Sequence, residues 1–315
     1  MRIKCIIPTV SHGLFSGQVS VHLFGRDGGK SDYDCSALFG KAAIGGPDLS
    51  ELPIYRTIES ACRAHVIVFP KGCPVDRLFL PATADFNAAI SHPENYCRDI
   101  QDEPIKKSFV PNIPRLLIKT GVKADGVVLE RGGDACWFSV ADCPTVIFHA
   151  PSGPIVVAHA GLRSLYRFPI GGEVSNPSHP VSSVVDSAVS EFRKGFIHPC
   201  SLRVHLCLGI GPENYLHEFG HPCFGAANEQ MVGWMRSLCR EGVLDPHKSG
   251  RIWLARVIEA QLGQCGVAPF NVGHDTIDTY SDTDSTGEYT WWSHRRSQCQ
   301  QTPDGRNGAL VVRNW

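Results

Sequence analysis

Short runs of β-branched and other apolar residues recur along the chain, each closed by Gly, Pro or Asp. They are AHVIVF at 64, RLLIKT at 115, DGVVLE at 125, CWFSVAD at 136, TVIFHA at 145, GPIVVAHA at 153 and RVHLCLGIG at 203. Runs of this length between turn-forming residues predict buried strands. Between and after them, apolar positions fall at helical spacing instead. VSSVVDSAVSEFRKGF (181–196) predicts one helix, and IWLARVIEAQLGQCG (252–266) predicts another that its last glycine stops. Strands and helices mixed without strict alternation predict an α+β class, a mixed α/β fold. One domain is expected over residues 1–315. The Pro-rich stretch from Pro70 to Pro114 and the segment RFPIGGEVSNPSHP (167–180) read as long surface insertions in it.

Composition narrows the function classes. The 315 residues are 43% hydrophobic and 19% charged, with a formal net charge of -1. That is an ordinary globular balance, and it offers no electrostatic case for nucleic acid or an anionic membrane as partner. No apolar run approaches the roughly 20 residues that span a bilayer. The start, MRIKCIIPTVSHG, has too short an apolar stretch for a signal peptide, and Pro8 interrupts it. The expected location is the cytoplasm. The 13 cysteines are odd in number, are scattered and include no CxxC pair. Zinc ribbons and thioredoxin-like motifs are thereby disfavoured, and most of these thiols are expected to be buried and inert.

Two stretches carry candidate chemistry. LHEFGHPCF (216–224) contains His217, Glu218 and His221 in the HExxH spacing of zinc peptidases. That spacing works only on a continuous helix, where both histidines share one face. Gly220 weakens a helix here, and Pro222 disfavours helical geometry at His221. A turn or frayed helix end is expected instead. The denser region is FSVADCPTVIFHAPSGPIVVAHAGLRSLYR (138–167), where Cys143 precedes one predicted strand and His159 closes the next. A hairpin would bring them together as a zinc site or a Cys–His nucleophile pair. The bland alternative is a buried cysteine beside a strand-end histidine. Gly161 permits close backbone approach, and Arg163 is of the type that holds anions.

The segments ADCPTVIF, VVAHAGLR, CLGIGPENY and DTYSD…WWSHRR…GRNGALVV resemble, in order, the sequence landmarks of the YfiH-type laccase-domain family. HLFGRDGGKS (22–31) is similar to its N-terminal landmark, an aromatic-rich strand leading into an Arg–x–Gly–Gly turn. The resemblance implies a mixed α/β sandwich related to the catalytic domain of the cytotoxic necrotising factors. It also implies a zinc-dependent purine nucleoside phosphorylase acting on inosine, adenosine or methylthioadenosine, with adenosine deaminase activity as a further possibility. Older descriptions call such proteins copper-dependent polyphenol oxidases, which makes copper the alternative metal. A non-catalytic relative that keeps the fold is a second alternative.

The family's metal site takes a Cys from the ADC motif and a His from the AHAG motif, here Cys143 and His159. Its third ligand comes from a Gln–x–His–Gly motif that this chain lacks. LFLPATADFNAAISHPENY stands in that region, and His92 is the nearest candidate, the other reading being an exposed loop histidine. Arg26, Arg163, Arg295 and Arg296 lie within the resembling motifs as candidate phosphate holders, against the plainer reading of surface salt bridges. Asp142 is a candidate general acid or base beside the metal, or a cap. The implied partners are a purine nucleoside and phosphate; the oligomeric state stays open.

Overall fold

The computed structural model describes residues 8–26, 35, 124–166, 183–238, 242–244 and 250–315, with the backbone alone of 66–68, 79–81 and 117–119. Two six-stranded sheets face each other. The first runs in the order β1 (Val10–Leu14), β2 (Val19–Phe24), β12 (Asn307–Arg313), β7 (Asp134–Val140), β3 (Val66–Val68) and β5 (Leu117–Lys119). The second runs β11 (Val272–His274), β10 (Arg203–Cys207), β8 (Thr145–His149), β9 (Ile155–His159), β6 (Gly126–Leu129) and β4 (Phe79–Pro81). Both are mixed, with parallel pairs at β3 with its two neighbours, at β4 with β6 and at β10 with β11.

The second sheet explains the uninterrupted apolar runs. Val146, Phe148, Val156 and Ala158 point to a helical layer, whereas Ile147, Ile155 and Val157 point to the first sheet. Alternate side chains leave a strand on opposite faces, so a strand buried on both must be apolar throughout. The helical layer includes α1 (Leu162–Leu165), α2 (Val184–Lys194), α3 (Gly225–Leu238) and α4 (Leu254–Gln264). Helix α2 begins at Ser183, whose hydroxyl accepts from the Asp186 N–H at 3.1 Å. It buries Val185, Ala188, Val189 and Phe192, packing on β9 and α4. A fifth helix, α5 (His294–Gln300), starts at Ser293. No helix among the described residues is long and apolar enough to cross a membrane.

All seven strands read from sequence are present, as are both helices, each trimmed by two or three residues at its ends. The proposed insertion at 70–114 contributes Phe79–Pro81 to the edge of the second sheet, a position where a proline removes no needed ladder bond. The rest of it, and all of 167–180, lie outside the described residues. Among the described cysteines, Cys200, Cys223 and Cys299 are exposed, so inert burial holds for only part of the set.

Candidate functional site

The β8–β9 hairpin closes at Gly153, whose N–H donates to Ala150 at 3.1 Å, and its register sets Thr145 opposite His159. At the open end, the Ala160 N–H donates to the Pro144 carbonyl at 2.9 Å, which carries the pairing one residue further. Cys143 and His159 therefore converge. A Cβ placed on Gly161 would lie 3.2 Å from Cys143 Sγ and 3.2 Å from His159 Cε1. A side chain at this point would crowd both donors, and glycine leaves them room.

Burial, helped by the Asp142 charge, pushes the Cys143 thiol up to about 12. Burial likewise pulls His159 down to about 4. At neutral pH the two rest as thiol and neutral imidazole, so a thiolate–imidazolium pair is disfavoured. A neutral imidazole is what a metal needs, and a bound cation is what would let this thiol ionise.

Asp142 ties four segments together. Its carboxylate accepts from Thr279 Oγ1 at 2.9 Å and from the Arg295 N–H at 2.7 Å, and its carbonyl accepts from the Ile210 N–H at 3.0 Å. Both carboxylate oxygens thus hold structural donors, one of them at the start of α5. Asp142→Asn is expected to preserve this, its amide oxygen accepting from Arg295 and its NH₂ donating to a reoriented Thr279 hydroxyl. Turnover should stay within a few-fold of wild type, whereas loss of an acid or base costs roughly 10²–10⁴. Asp142→Ala should instead lose about 1–3 kcal/mol of stability for each orphaned donor. Chemical denaturation and rate measurements on the pair of variants check both statements, and a hundredfold rate loss in a stable Asp142→Asn would restore the acid–base role.

The arginines separate. Arg163 is exposed on α1, two residues beyond Gly161. Arg26 lies with its Cζ 4.7 Å from the Trp292 ring centroid. Arg295 donates from Nη2 to the Leu216 carbonyl at 2.7 Å. Arg296 is buried, donates to the carbonyls of Thr279, Tyr280 and Trp291, and stacks on Tyr289 at 3.6 Å. Its terminal nitrogens are thus held by backbone carbonyls, which gives Arg296 a structural role that the sequence did not indicate beside the phosphate-holding one expected of it. His92 lies outside the described residues.

Two neighbours escaped the reading of single residues although both stand in the quoted motifs. Tyr215, from GPENY, is close enough that, after burial, the Cys143 and Asp142 charges push its phenol up. Arg306, from GRNG, lowers the Cys143 thiol while pairing with Asp304 at 2.6 Å.

The HExxH pattern has no helix under it. Residues 216–221 form a bridge and a turn, and His221 Nδ1 accepts from the Cys223 and Phe224 N–H groups just ahead of α3. His217 packs edge-on against Tyr215 at 5.0 Å. The two histidines share no helical face, so the peptidase geometry is absent.

Residues 100–314 match the family described as multi-copper polyphenol oxidoreductase laccase, and this span contains the whole Cys143–His159 neighbourhood. The chain belongs to that laccase-domain family. The fold of the laccase-domain chain is shared by three solved structures. YlmD from Geobacillus stearothermophilus is 17% identical, with a TM-score of 0.59 over 99% of this chain and 100% of its own. The hypothetical protein YfiH of Bacillus licheniformis is 17% identical, with a TM-score of 0.57 over 94% of this chain and 92% of its own. A Neisseria meningitidis protein is 15% identical, with a TM-score of 0.57 over 95% of each chain. No protein of curated function matches the laccase-domain chain in sequence.

Proposed function

We propose that this laccase-domain protein is a zinc-dependent purine nucleoside phosphorylase, acting on inosine, adenosine or methylthioadenosine. The observation that carries the reading is the convergence of Cys143 and His159 on Gly161. Their donor chemistry, a thiol and a neutral imidazole, suits zinc, and His92 is the proposed third ligand, leaving one position open as catalytic zinc sites require. When bound, the metal would supply Lewis acidity to the substrate.

The chain's own residues supply the rest. Phosphorolysis joins a phosphate oxygen to C1′ of the ribose while the glycosidic C–N bond breaks, and the departing base takes up a proton. The attacking group is an anion, so it must be held against its own repulsion by donors in fixed geometry. Arg163 is the leading holder, because it is exposed and two residues beyond Gly161, which lies against the Cys143–His159 pair, and Arg306 is the second. Arg26, which lies against Trp292, and Arg295, whose Nη2 holds the Leu216 carbonyl, are the remaining candidates. Gly161 keeps the approach to the pair open. Adenosine deamination would use the same pair, since the HxE…PCxxC arrangement of zinc deaminases is absent from the sequence.

Copper-dependent oxidation of phenols is the rival that the family's description raises. The sequence has no HxH pair, and a copper relay needs many closely spaced histidines. Free base should appear from the three nucleosides only when phosphate is present, with ribose 1-phosphate (its 5-methylthio form from methylthioadenosine) as the second product. Arg163→Ala should raise the phosphate concentration required by roughly tenfold or more, the value of a charge-assisted contact. Base release that ignores phosphate would mark a hydrolase, and phenol oxidation without base release would mark the rival.

A further inference from the structure

A second group of metal-donor side chains lies between the sheets. His12, His205, Cys207 and Asp275 each offer one donor atom, and these atoms lie within 4.8 Å of one another. The four come from three distant parts of the chain and from both sheets. His12 is on β1, the edge strand of the first sheet, between Val10 and Leu14, whose side chains pack on the inter-sheet core. It stands opposite Val21, another residue of that core, so its imidazole faces inward. His205 and Cys207 are two apart on β10 and therefore share a face, and Cys207 belongs to the same core. Asp275 follows β11, held there by its N–H donating to the Leu206 carbonyl at 2.9 Å.

An ordinary ion pair accounts for only part of this. His205 Nε2 meets Asp275 Oδ1 at 2.8 Å, with His12 Nε2 3.7 Å from the same oxygen. Asp275 Oδ2 and His12 Nε2 are buried without a well-formed hydrogen bond, the Cys207 thiol being the one further group that leans on the Asp275 carboxylate. Buried polar atoms without partners are uncommon, and each calls for an explanation. A cation between the four donors provides one. Gly273 clears the space behind His205, since a Cβ there would lie 3.0 Å from Nδ1.

We propose that His12, His205, Cys207 and Asp275 form a closed zinc site that joins the edge of one sheet to the other. Tetrahedral zinc with ligands at 2.0–2.3 Å sets its donors roughly 3.3–3.8 Å apart, a spacing this group reaches by small side-chain adjustments. Two imidazoles, a thiolate and a carboxylate are all zinc ligands, and the two negative charges balance a divalent ion. The carboxylate, where blue-copper sites carry a weak thioether, favours zinc over copper. Four protein ligands leave no open position, so the role is structural. The site is separate from the Cys143–His159 pair. Cys207 lies opposite Thr145, and Thr145 opposite His159, which places two strand spacings, roughly 10 Å, between them.

The test uses the full chain carrying Cys143→Ala, so that the first site does not contribute. Loaded with cobalt(II) and desalted, it should retain one equivalent, with the strong visible bands of a tetrahedral ion and a thiolate-to-cobalt charge-transfer band. Adding Cys207→Ser should remove the charge-transfer band. Adding His12→Gln should cut retained cobalt at least tenfold, and because His12 sits on an edge strand, circular dichroism should show the fold intact. No retained cobalt in the Cys143→Ala protein, or bands indifferent to both further substitutions, overturns the site. Copper rather than zinc in this variant as purified overturns the choice of metal. Nucleoside turnover plays no part in the readout, so failure of this site and failure of the phosphorylase reading are told apart.

Discussion

Cys143→Ala should lose one equivalent of zinc per chain and lower phosphate-dependent base release by about 10³-fold or more. The thiol is one of two identified donors, and a thiolate is a principal zinc ligand whose loss leaves too few to hold the ion. A Lewis-acid metal contributes several kcal/mol to transition-state stabilisation, and each 1.36 kcal/mol is tenfold in rate. The substitution removes only one sulfur atom beside Gly161, so folding should be little changed. Elemental analysis beside a rate assay decides the matter. Unchanged zinc would remove Cys143 from the ligand set, and unchanged turnover without zinc would remove the metal from the reaction.

Phe192→Ala should cost about 3–5 kcal/mol, the range for deleting a buried aromatic side chain. Phe192 is 0% exposed in the layer between α2 and the second sheet, and its ring lies 3.6 Å from where a Cβ on Gly153 would sit. It therefore anchors the helix over the turn that joins β8 to β9. In a chain of this size the loss should lower Tm on the order of 10 °C. Denaturant melts of wild type and variant provide the check. A change below about 1 kcal/mol would mean that α2 does not pack on the sheet as described.

Much of the architecture was legible in the chain, for reasons that particular residues show. TVIFHA and GPIVVAHA are apolar through the strand interiors, 146–148 and 155–158, because both faces of the second sheet are covered, and Pro151–Ser152–Gly153 marks the turn between them. A hairpin is a local structure, so the meeting of Cys143 with His159 was expected from its two strands alone. The failure of HExxH was equally local, since Gly220 and Pro222 lie inside or beside it. The resemblance to the laccase-domain landmarks supplied the order of the remaining motifs.

What sequence alone determined was therefore whatever neighbouring residues decide: strand runs, helix spans, the hairpin and the candidate Cys–His pair. Tertiary structure decided the rest. Four arginines looked alike in the sequence, yet the carbonyls of residues 279, 280 and 291 claim Arg296, while Arg163 stays exposed. Asp142 became a tie because Thr279 and Arg295, far along the chain, fold back onto it. His12, His205, Cys207 and Asp275 carry no shared spacing, and they meet only because an edge strand of one sheet packs over two strands of the other. Periodicity reports which face a side chain takes on its own element; which distant element covers that face depends on how the sheets stack.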